Sequence, residues 1–99
     1  MNAPLLEAAY TIAREKYEAA RLEAFSILRD RFPDAGFDPT HHAVQRGMKL
    51  YLSAYGFAEK VWAGSIPYEK AYQSLHSQFN DFPEATVERA FSEAYRDTR

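Results

Sequence analysis

An all-α fold is predicted by this sequence: a small single-domain bundle of about four helices with a long N-terminal helix. Three observations carry that expectation. Apolar residues recur at three- and four-residue spacings in four segments. Pro and Gly cluster at three breaks between them, FPDAGFDP at 32–39, AGSIP at 63–67 and NDFP at 80–83. Nowhere do apolar and polar residues alternate over the length of a strand. A chain of 99 residues with 46% hydrophobic content is long enough for one core and too short for two, so residues 1–99 are read as one domain.

The first helix is expected over residues 4–31, with Pro4 in its first turn. At about 100° per residue, Leu6, Ala9, Tyr10, Ala13, Tyr17, Ala20, Ala24, Ile27 and Leu28 share an arc of roughly 100°, which marks the core face. Much of that arc follows a heptad rhythm, but a seam so rich in Ala favours close packing inside a bundle over a coiled-coil dimer. Leu22, Phe25 and Phe32 lie roughly opposite, among Glu18, Arg21 and Arg29. Two explanations compete. Either the second half of the helix is covered on both sides, or an apolar stripe rimmed by charge is left open as a contact surface for another protein. Phe37, in the following loop, is either a staple onto the next helix or an exposed anchor.

The second helix is expected over 39–63, with Asp38 as N-cap and Pro39 pre-setting the first turn. Val44, Tyr51, Ala54, Tyr55, Ala58, Val61 and Trp62 keep one phase along it. Gly47 lies at the centre of that face, where close approach of another helix would justify a residue that otherwise costs about 1 kcal/mol relative to Ala. Gly56 falls on the polar side with nothing to compensate it, so a kink or break is expected there if anywhere; Gly64 is the natural stop. Ser65 is the expected cap of a third helix presenting Tyr68, Ala71, Tyr72, Leu75 and Phe79. Asp81 and Glu84 have capping-box spacing, and the fourth helix buries Val87, Ala90, Phe91, Ala94 and Tyr95.

Charge excludes some functions. Twelve basic residues stand against fourteen acidic ones with no strong block of either sign, so neither a phosphate-binding patch nor an acidic nucleic-acid mimic is expected. The chain has no Cys, which removes disulfides, thiolate metal sites and a Cys nucleophile. No apolar run approaches the roughly 18 residues of a membrane span, and the N-terminus is not a secretory signal, so a cytoplasmic protein is expected.

Chemistry does not gather. His41 and His42 point about 100° apart on a helix, and His76 flanks an apolar face, so no metal site is expected. The glycines are scattered rather than clustered before a helix, and no Ser has a nucleophile setting. Glu84 and Glu88 read as a solvated acidic face rather than an acid and base pair. Residues 67–97 could form a helix-turn-helix regulator that binds DNA, but its second helix would set Glu84, Glu88, Glu93 and Asp97 against Arg89, Arg96 and Arg99.

The expectation is a non-catalytic protein, with no cofactor and no metal, that binds another macromolecule. A protein partner is favoured over nucleic acid, with Leu22, Phe25, Arg29, Phe32 and Phe37 as the contact residues; a homodimer through the same stripe is the neighbouring idea. An adaptor, a subunit or an inhibitor would qualify. Accessory proteins of phages and mobile elements, including anti-CRISPR-like inhibitors of host complexes, share this profile by association only. An aromatic content of 15% suits a contact surface, although most of the rings fall at core positions.

Overall fold

The computed structural model describes the backbone of residues 3–16 and 21–98 and the side chains of residues 3–15 and 23–98. Among the described residues there are five α-helices and no strand: α1 (Ala3–Lys16), α2 (Arg21–Arg31), α3 (Phe37–Trp62), α4 (Tyr68–Gln78) and α5 (Glu84–Asp97). A 3-10 turn at Pro33–Ala35 precedes α3. The all-α expectation holds, with five helices rather than about four. The chain forms two compact units, Met1–Lys49 and Leu50–Arg99, and α3 contributes its first half to one and its second half to the other.

In the first unit α1 is buried along two neighbouring rows, Leu5, Ala9 and Ile12 on one and Leu6, Tyr10 and Ala13 on the other. A helix covered on two rows needs two neighbours. One is α2, which packs on α1. Arg31, at the far end of α2, lines one shallow groove of about 300 Å³ together with Pro4, Glu7, Ala8 and Thr11 of α1. An unbroken helix would hold residues 4 and 31 about 40 Å apart at 1.5 Å per residue. The expected single helix over 4–31 is therefore corrected to two antiparallel ones. Tyr17 and Ala20, expected in its core, lie outside the described residues.

The second neighbour is α3. A Cβ built on Gly47 would sit 2.7 Å from the carbonyl carbon of Ala9 and 2.9 Å from the amide nitrogen of Tyr10, so α3 lies against the backbone of α1 itself. Only glycine permits that approach, as the sequence predicts. Thr40, Ala43 and Val44 extend the same buried row, and α2 adds Ala24 and Leu28, while Ile27 is only partly covered. Fully covered leucines such as Leu5, Leu6 and Leu28 each contribute about 2 kcal/mol from apolar burial.

In the second unit Leu50, Ala54 and Ala58 of α3, Ala71 and Leu75 of α4, and Val87, Ala90, Phe91 and Ala94 of α5 form the core. No break occurs at Gly56, which faces open space within an unbroken α3. Tyr51, Tyr55 and Val61 are half-buried rather than buried, and Trp62 is 43% exposed. Its indole stacks on Tyr95 with centroids 4.4 Å apart, and its N–H donates to the Tyr95 carbonyl at 2.9 Å. The helix closes in a Schellman motif: Ser65 N–H donates to the Lys60 carbonyl at 2.9 Å and Gly64 N–H to that of Val61 at 3.0 Å, with Gly64 at φ +77°.

Three expected caps are corrected. α3 starts at Phe37, which places Asp38 inside its first turn rather than before it. Pro67 and Pro83 occupy the N-cap positions of α4 and α5 in extended conformations, ψ 151° and 142°, and neither helix start carries a side-chain cap. Ser65 and Asp81 stand two residues too early for the task. The proline carbonyls accept the first helical bonds, as the carbonyl at any N-cap position does, from Ala71 N–H at 3.0 Å and from Val87 N–H at 3.2 Å. A residue at the cap position needs no N–H of its own for the helix, which is why Pro is tolerated there. Phe79 and Phe82 are both buried, rings 5.9 Å apart, and pin the turn from α4 into α5. Among the described residues no helix is long and apolar enough to cross a membrane.

Candidate protein-interaction surface

The end of α2 and the start of α3 make a tight corner in the first unit, and local chemistry dictates its shape. Phe32 leaves the helix at φ −128°, ψ 63°, while its N–H still reaches the Leu28 carbonyl at 2.8 Å. Pro33 opens the 3-10 turn, where Ala35 N–H donates to the Phe32 carbonyl at 3.1 Å. Gly36 follows at φ +87°, a backbone that residues with a Cβ rarely adopt. Its carbonyl accepts two bonds from Thr40, from Oγ1 at 2.7 Å and from the amide at 3.3 Å. Thr40 is 1% exposed while Gly36 is exposed, so this clamp is partly buried.

The corner fixes Phe37 at the first residue of α3 with 62% of its surface open. Its ring lies 5.0 Å from that of half-buried Phe25, at 57°. One turn along α3, the His41 imidazole stacks on Phe37 at 5.9 Å and 13°, with its centroid 6.4 Å from that of Phe25. Gln45 sits one turn further on, its amide nitrogen 3.4 Å from His41 Nε2. These are favourable separations for aromatic pairs, so the rings hold one another in place. The open part of Phe37 amounts to on the order of 100 Å², which would contribute about 2 to 3 kcal/mol once covered. That is the size of an interface anchor.

Of the five residues the sequence singled out, Phe25 and Phe37 are brought together. Arg29 is exposed one turn after Phe25 on α2, and Phe32 is half-buried where the chain leaves that helix. The side chain of Leu22 lies outside the described residues. Phe37, expected in a loop as a staple onto the next helix or as an exposed anchor, is instead the first residue of that helix, where its ring stacks on His41, packs on Phe25 of α2 and is still mostly open. His41 was missed as a member of this surface; its four-residue spacing from Phe37, which puts both on one helix face, was the available signal.

Elsewhere the chemistry is sparse. Among the described residues no group of three His, Cys, Asp or Glu could hold a metal ion. On α5, Arg89 Nε lies 3.5 Å from Glu93 and Arg96 Nε 3.5 Å from Asp97. In the second unit the Tyr55 hydroxyl donates to Asp97 at 3.1 Å. Partial burial above all, then hydrogen bonding with Tyr51 and Asp97, raises its pKa well above the ordinary 10.0. Tyr72 is raised as well, by burial first and then by the charges of Glu84 and Glu88.

No family model matches this chain, and neither does any curated protein or solved structure.

Proposed function

We propose that the protein acts without catalysis, by binding another protein through the corner between α2 and α3. The observation that carries this reading is Phe37, 62% exposed yet fixed by ring contacts with Phe25 and His41. An apolar ring left in water on an ordered corner is a standing cost that a partner removes. Arg29 and Asp38 are exposed nearby in sequence and supply the polar rim that such surfaces carry.

Binding of DNA by residues 67–97 has less support. Arg89 and Arg96 already face carboxylates, and Glu84 and Glu88 are exposed on the same helix, which would repel phosphates.

The test is to compare wild type with Phe37→Ser in capture from lysate and in light scattering. A partner held by wild type and lost by the variant, both folded, supports the reading. A self-associated species lost in the same way identifies a second copy as the partner. Association that survives the substitution contradicts it.

A further inference from the structure

The second unit carries a groove that the corner does not explain. Ala85, Glu88, Arg89 and Ser92 form one face of α5 at spacings of three and four, and Tyr68 and Tyr72, four apart on α4, stand across from them. These six residues line an open cleft of about 400 Å³. Both phenol rings rest on Phe91, with centroids at 4.9 Å for Tyr68 and 6.2 Å for Tyr72, so the aromatic wall is anchored in the core. Tyr68 also meets the edge of Tyr95 at 4.9 Å and keeps 43% of its surface open.

The charge in the cleft is unbalanced. Its cation, Arg89, lies 3.5 Å from Glu93 one turn further along α5 and is paired there. Glu88 lines the cleft and is exposed, with Glu84 one turn before it. The negative field of both reaches the Tyr72 hydroxyl, since their charges help to raise its pKa. Electron-rich ring faces beside a carboxylate attract an organic cation: the rings take its methylenes and its charge, and the carboxylate its N–H groups. An anion would meet Glu88 with no free counter-charge. A purely apolar occupant would leave that carboxylate without its water.

We propose that the cleft between α4 and α5 receives a lysine or arginine side chain of a partner polypeptide. The inference uses the second unit alone and does not rest on the Phe37 corner.

The test is a titration of the intact protein, followed by NMR, with four small probes: the N-acetyl methylamides of lysine, arginine, norleucine and glutamate. Norleucine has the lysine methylenes without the charge. The expected result is saturable shifts of the 85–92 amides and the Tyr68 and Tyr72 ring protons with lysine and arginine, with norleucine about fivefold weaker. Glu88→Gln, an exposed change that leaves the fold intact by circular dichroism, should weaken the cationic probes about fivefold, and Arg89→Gln should strengthen them. The inference is overturned if norleucine binds as well as lysine, if glutamate binds best, if the shifts fall outside the cleft, or if no probe shifts it.

Discussion

Replacing glycine by alanine at positions 47 and 56 of the same helix should change stability in opposite directions. Helix propensity alone favours Ala over Gly by about 1 kcal/mol at either site. At Gly56 nothing lies within 4 Å of the added methyl, so that preference acts unopposed and Gly56→Ala should gain about 0.5 to 1 kcal/mol. At Gly47 the methyl would lie 2.7 Å from the Ala9 carbonyl carbon and 2.8 Å from its oxygen. Those atoms are backbone and cannot swing aside. To reach ordinary contact at 3.4 Å, α1 and α3 must part by about 0.7 Å (3.4 − 2.7). A gap of that size forfeits a quarter to a half of each dispersion contact along the seam. Overpacking of this kind costs about 1 to 3 kcal/mol, so after the propensity gain of about 1 kcal/mol Gly47→Ala should lose up to about 2 kcal/mol. Thermal melts followed by circular dichroism would then fall by up to about 10 °C for Gly47→Ala and rise by about 3 to 5 °C for Gly56→Ala. A Gly47→Ala protein as stable as Gly56→Ala would refute the close approach of α3 to α1.

The remaining predictions address topology and pH. Because the chain has no Cys, a pair introduced as Ala8→Cys and Arg31→Cys would report on α1 and α2 alone: an antiparallel pair brings the two within reach of a short bismaleimide crosslinker, whereas a continuous helix would hold them about 35 Å apart and leave them unlinked. Tyr55 and Tyr72 hold their protons more tightly folded than unfolded, so below the ordinary phenol value of 10.0 they add no pH dependence, and above it the unfolded chain loses protons that the folded one keeps. Urea midpoints should therefore decline as pH rises past about 10, and Tyr55→Phe should make the decline shallower; an equally steep decline in that variant would contradict the hydroxyl environment described for Tyr55.

How much of this was legible in the sequence differs from helix to helix. α5 was read almost completely, because Val87, Ala90, Phe91 and Ala94 form one uninterrupted 3.6-residue stripe and a short amphipathic helix has one way to bury it. Gly47 was read for the right reason, since a glycine at the centre of an apolar face implies a backbone pressed against it. The return of α2 along α1 was not legible, because EKYEAARLEA contains neither Gly nor Pro and the wheel drawn from Leu6 carries through to Leu28 without a phase change. Its trace was the puzzle of Phe25, apolar on what looked like the wet side. Once α2 is a separate helix, Ala24 and Leu28 take the buried row and Phe25 turns toward the corner, where Phe37 meets it. The caps failed because Ser65 and Asp81 were expected to cap α4 and α5, whereas Pro67 and Pro83, two residues further on, stand at the helix thresholds. Of the surface itself the sequence supplied Phe25 and Phe37, while His41 was weighed only as a metal ligand and not as a ring.

The measurement that bears most directly on the proposed role is the paired behaviour of Phe37→Ser, its thermal melt beside its capture of partners. With 62% of the ring already in water, the substitution should cost no more than about 2 kcal/mol in stability and leave the helical spectrum unchanged, while association is abolished. A loss of several kcal/mol would mean that Phe37 supports the fold, and undiminished association would mean that the partner is recognised elsewhere.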